Sequence, residues 1–129
     1  MTDINLSDYK NLYLQTARKY IADLQASLTA LETDTTKKEA IETVYISAHS
    51  LKSQSQIMTY VKTGALSGTI EALFRTVHEG TKQLNTDMLG KSKEAVAQIA
   101  ASVDSIEKEN KELDLTQYIE AMKQFTTTG

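Results

Sequence analysis

The 129-residue chain has no cysteine, no proline and no tryptophan, and only 5 glycines. Without cysteine there are no disulfides, no thiolate metal sites and no cysteine nucleophiles. Two lone histidines, with no Glu-x-x-His pair, leave little for a zinc or di-iron centre, so neither a metal nor a cofactor is expected. The residues that most often interrupt helices and shape tight turns are also missing or scarce, which leaves helix as the element the chain can sustain. A basic excess is absent too: 14 Lys and Arg face 17 Asp and Glu, a formal charge of −3. Nucleic acid and anionic lipid both need clustered positive charge, so proteins are the expected partners. No apolar run approaches the roughly 18 to 20 residues of a membrane span. Met1 to Lys10 is polar and acidic where an export signal needs a basic and then an apolar stretch, so a cytoplasmic location is expected. The length suits one domain over residues 1–129.

What the chain does have is helical periodicity. From Tyr9 the apolar residues Leu12, Tyr13, Ala17, Tyr20, Leu24, Leu28 and Leu31 recur in steps that place them on one stripe, with Asn5 or Ser7 as the cap. Thr36 followed by Glu39 has the spacing of a capping box, opening a second helix that buries Ile41, Val44, Ala48, Leu51 and Met58. A break is expected around Thr59 to Thr63. A third stripe follows through Leu66, Ile70, Leu73, Phe74 and Val77, ended by Gly80. Asn85 or Thr86 caps a fourth helix with Val96, Ile99, Val103 and Ile106 inward. Asp114 with Gln117 opens a shorter fifth, carrying Leu115, Tyr118, Ile119, Met122 and Phe125, and Thr126 to Gly129 reads as a frayed end or the start of a linker. Long helices with short polar connections predict an all-α, antiparallel up-down four-helix bundle over residues 7–110, with an appended helix over 114–125. One apolar stripe per helix is enough for one bundle, so a monomer is the default. The charged run from Glu107 to Glu112 reads as a solvated helix end.

The chemistry, if any, lies on the second helix. At about 100° per residue, His49 sits roughly 120° from the centre of the stripe formed by Ala48, Leu51 and Ser55, on the flank near water. Lys52 and Ser53 share its side and Gln56 extends the strip. On the third helix Glu71 flanks the stripe beside Gly64, Ser67 and Gly68, where missing side chains permit a close approach. A neutral imidazole is a nucleophile at pH 7, a carboxylate on Nδ1–H would leave Nε2 free, and the Lys52 ammonium would offset phosphoryl charge. There is no glycine-rich phosphate loop and no aspartate cluster for Mg²⁺, so the arrangement suits a phosphoryl carrier, not a complete enzyme, and the kinase and the receiving aspartate are expected to come from elsewhere. His78, near Gly80, is a helix-end residue without an assigned role.

The string from Ala48 to Tyr60, AHSLKSQSQIMTY, resembles the H-x-x-K-G-x-[SA]-x-x-[FM]-G-[FY] signature of histidine phosphotransfer (HPt) domains of the chemotaxis-kinase type. Tyr9 to Glu32 is similar to that family's first helix, Leu66 to Phe74 to its third, and Gln83-Leu84-Asn85-Thr86-Asp87 to its approach to the fourth, so the resemblance runs from about Ser7 to Phe125. It implies that His49 is phosphorylated, that Lys52 steers and neutralises the phosphoryl group, and that Glu71 orients the imidazole. The implied partners are a histidine kinase catalytic domain, as donor, and a response-regulator receiver aspartate, as acceptor. Three positions depart from the pattern: Ser53 and Thr59 replace glycines, and Gly68 stands where some chemotaxis kinases carry a second histidine. Loss of the glycines leaves a second reading, a degenerate bundle that only docks partners.

Overall fold

The computed structural model describes residues 6–126, which form five helices and no strand. They are α1 (Leu6–Thr33), α2 (Lys38–Ile57), α3 (Val61–His78), α4 (Thr86–Glu109) and α5 (Thr116–Lys123). Asn5 and residues 127–129, read above as a cap and as part of a frayed end, lie outside the described residues. Ser7 falls inside the first turn of α1.

Side-chain contacts give the bundle its direction. Tyr13, early in α1, hydrogen-bonds Ser55, late in α2, at 2.8 Å. Along α2 and α3 the partners run in opposite order: Gln56 lies over Gly64, Lys52 over Gly68, His49 meets Glu71, and Tyr45 stacks on His78. Arg18 pairs with Asp104 and Glu107, while Lys93 pairs with Glu32, so α1 and α4 are antiparallel as well. Each helix packs on its successor and α4 returns to α1, closing a ring around one core. Among the described residues no helix is long and apolar enough to cross a membrane.

The α3 and α4 stripes are buried as expected: Leu66, Ile70, Leu73, Phe74 and Val77 on one, Val96, Ile99, Val103 and Ile106 on the other. The α1 stripe is rotated. Leu12 is 60% exposed and Tyr9 47%, and Leu14 and Ile21 enter the core with Tyr13, Ala17, Leu24, Leu28 and Leu31, leaving Tyr20 half-buried. Leu14, Ala17, Ile21, Leu24, Leu28 and Leu31 alternate steps of three and four without a gap, whereas Leu12 is followed at those spacings by Gln15, Thr16 and Lys19 and lies off the row. Tyr9 and Leu12 instead line a shallow apolar groove with Ile57 and Met58, which is half-buried rather than buried. Burial pushes the Tyr13 hydroxyl up to about 12, against the opposing hydrogen bond from Ser55.

Two helix starts differ from the capping patterns. Asp34 accepts hydrogen bonds from Thr36 N and Oγ1 at 3.0 and 2.6 Å, so the Thr36 hydroxyl is engaged as a donor and Lys37 becomes the N-cap, without a side-chain bond. Asp114 holds Thr116 in the same way and the N-cap is Leu115, so neither the Thr36–Glu39 box nor the Asp114–Gln117 pair forms. Asn85 does cap α4, accepting from Met88 N at 2.9 Å.

The break between α2 and α3 occupies only Met58 to Tyr60, and Val61 to Thr63 already belong to α3. Tyr60 N bonds Ser55 O and Thr59 N bonds Gln56 O, the paired closure of a Schellman motif, with Thr59 in the left-handed region at φ 66°. Gly80, at φ 83°, closes α3 by the same two bonds, Thr81 N to Thr76 O and Gly80 N to Val77 O. The first turn of α3 has no cap of its own. Glu112, from the connection after α4, accepts from Lys62 N at 3.2 Å and from Thr63 N and Oγ1 at 2.8 Å each, so it is a remote cap and not a solvated charge. Ser102 completes the knot, bonding Thr63 Oγ1 and accepting from Leu113 N. With Leu115 and Met122 buried, α5 belongs to the core rather than being appended to it.

Candidate functional site

Straight α-helical backbone through residues 45–56 puts His49 and Lys52 on the face of α2 that meets α3. Gly64 and Gly68 let the two helices close on each other. A Cβ at Gly64 would stand 3.0 Å from Gln56 Cγ and 3.4 Å from Lys52 O, and one at Gly68 would stand 3.1 Å from Lys52 Cδ. The Lys52 stem therefore lies across Gly68 and carries its ammonium to Glu71. The close approach anticipated at these glycines is made by α2.

The three residues singled out from the sequence converge. His49 Nδ1 is 2.7 Å from Glu71 Oε2, and Lys52 Nζ is 2.7 Å from Glu71 Oε1. The His49 side chain is 57% exposed, Lys52 28% and Glu71 3%, so a water-facing ring is held by a buried carboxylate. Burial pushes the Glu71 carboxyl up, but the hydrogen bonds from Lys52 and His49 and the charge of the Lys52 ammonium prevail, and it is held below its ordinary value. An ionised carboxylate only accepts, so the neutral imidazole bonded to it carries its proton on Nδ1. The Nε2 lone pair then lies on the free edge of the ring, available as a nucleophile.

One neighbour was missed. Arg75, four residues after Glu71 on α3, places its guanidinium 3.2 Å from Glu71 Oε2. The signal was the Glu-to-Arg spacing on one helix face, which is too common on solvated helices to single out a site. Arg75 is held above its ordinary value, first by its hydrogen bond to the Tyr45 hydroxyl and then by Glu71. His78, without a role from the sequence, lies against the Tyr45 ring with centroids 5.7 Å apart. Among the described residues no three His, Asp or Glu side chains are grouped to hold a metal ion.

With this geometry in place, known proteins offer a comparison. A family model described as Hpt domain matches residues 8–124. The chain is 24% identical over 119 residues to the chemotaxis protein CheA of Halobacterium salinarum, covering 92% of this chain and 18% of that protein. Against the chemotaxis protein CheA of Bacillus subtilis it is 22% identical over 103 residues, covering 80% and 15%. The chain thus spans less than a fifth of the length of these relatives. The solution structure of the histidine phosphotransfer domain of CheA superposes with a TM-score of 0.85 at 21% identity, over 97% of this chain and 96% of that one. The phosphorylated P1 domain of CheA3, solved in complex with CheY6 from R. sphaeroides, superposes with a TM-score of 0.81 at 15% identity, over 92% of each chain.

Proposed function

The chain belongs to the Hpt domain family, and on that premise we propose that it is a phosphoryl carrier of chemotaxis-type signalling with His49 as the carrying residue. One observation supports this above the others: a buried, ionised Glu71 holds Nδ1 of an exposed imidazole at 2.7 Å, while Lys52 stands on the other carboxylate oxygen. The Nε2 lone pair attacks the γ-phosphorus of ATP held by a kinase catalytic domain. The bond from that phosphorus to the bridging oxygen breaks, ADP leaves with the electron pair, and an Nε2–P bond forms while the proton stays on Nδ1. Glu71 offsets the positive charge that develops on the ring, and Lys52 swings to the phosphoryl oxygens. A receiver-domain aspartate then takes the phosphoryl group, breaking the Nε2–P bond and restoring the neutral imidazole. The chain is regenerated and turns over nothing of its own.

The test is incubation with ATP and the catalytic core of a chemotaxis kinase, scored for acid-labile phosphate on the chain and for its passage to a receiver domain. Label on the wild type and none on His49→Gln is the expected result. An unlabelled wild type would leave only the partner-docking reading, and label surviving in His49→Gln would remove the site. Glu71→Ala should slow labelling and leave the bundle folded, because both cations it releases, Lys52 and Arg75, can reach water.

A further inference from the structure

Lys52 is asked to serve two anions. At rest its ammonium is bonded to Glu71 Oε1, and a phosphoryl group on His49, bringing about two negative charges, would draw it away. Glu71 is 3% exposed, and a buried carboxylate stripped of its counter-ion either takes up a proton or turns toward water. Either response would release the Nδ1–H that it orients.

A second cation prevents this. Arg75 reaches the same Oε2 that His49 uses, from the same helix as Glu71, so its hold does not depend on Lys52. It is half-exposed, and Tyr45 of α2, whose ring is backed by His78, is the first of the groups that hold its guanidinium above its ordinary value. Counting formal charges, neutral His49, Lys52, Arg75 and Glu71 sum to one positive charge, and without Arg75 to none. We propose that Arg75, bonded to Glu71 from the same helix, is a positioning residue that keeps Glu71 ionised and aimed at His49 Nδ1 while Lys52 moves to the phosphoryl group. The role in transfer rests on the phosphocarrier reading, whereas the hold on the imidazole does not.

The whole chain is examined as wild type, Arg75→Gln, Arg75→Lys and Tyr45→Phe, by two measurements. Ring ¹⁵N shifts of His49 report its tautomer without any phosphodonor, and labelling from ATP by a chemotaxis kinase core reports the rate. In a Lys52→Met background, where Arg75 is the cation left on Glu71, Arg75→Gln should move the neutral ring away from the Nδ1–H form; with Lys52 in place it should slow labelling by about tenfold, which is what one charge-assisted hydrogen bond is worth. Arg75→Lys should recover most of both losses, and Tyr45→Phe should show smaller shifts of the same sign. An unchanged tautomer when Arg75→Gln is added to Lys52→Met overturns the proposal, whether or not the rate falls, because a general structural defect would slow labelling without acting through Nδ1. A wild type that never labels, together with the expected tautomer shift, would sink the phosphocarrier reading and leave the positioning of Glu71 standing.

Discussion

Glu71 takes donors from three side chains on two oxygens, and those from Lys52 and His49 set the pH response of the site against its burial. Its carboxyl is held below the ordinary value, so its contribution to folding is complete above that value and is lost as the pH falls through the lowered one. Glu71→Gln has nothing to lose there. Its unfolding free energy, followed in urea from about pH 6 to pH 3, should fall less steeply than that of the wild type. Gly68 offers a second check at this scale. A Cβ there presses on the Lys52 stem at 3.1 Å, so Gly68→Ala should dislodge the ammonium from Glu71 and slow labelling, with little change in melting temperature because the stem is flexible. His49 and Lys52 were legible from the sequence because three residues along a helix fix their relation before any tertiary contact exists. Arg75 was not, since its value depends on Glu71 facing His49 and Lys52 from another helix.

Helix ends show a different balance. Thr59 and Gly80 occupy the same position in two equivalent closures, but only one is a glycine. A β-branched residue held at φ 66° carries a steric penalty of about 1–2 kcal/mol, partly offset by its hydroxyl bond to Met58 O and by its smaller backbone entropy loss. Thr59→Gly should therefore stabilise the bundle by about 1 kcal/mol, read as a higher denaturant midpoint at unchanged slope. The periodic interiors of α3 and α4 were readable because burial there follows an unbroken stripe. The start of α2 was misread because Asp34 engages the Thr36 hydroxyl, and that of α5 because Asp114 bonds Thr116 and not Gln117. The rotation of α1 was hidden because Tyr20 and Ile21 flank the buried row on opposite sides, and only packing chooses which is covered.

At the scale of the molecule, the all-helical class and the number of helices follow from scarce helix breakers and unbroken stripes, which is why they were legible from composition and periodicity alone. The knot around Glu112 was not, because a glutamate in a charged run carries no mark of the helix it will cap. Removing it should cost what caps usually cost: Glu112→Ala is expected to destabilise the bundle by about 1 kcal/mol, measured by urea unfolding. Truncation before residue 111 should cost considerably more, since it also removes buried Leu115 and Met122.

The clasp on Thr63 spans 49 positions. As the polypeptide leaves the ribosome, α3 is therefore complete well before the group that answers its first amides has been synthesised. A nascent chain halted short of Glu112 holds α2 and α3 side by side with that end open. The pair of helices that brings His49 and Glu71 together gains its final restraint only when the connection after α4 has emerged.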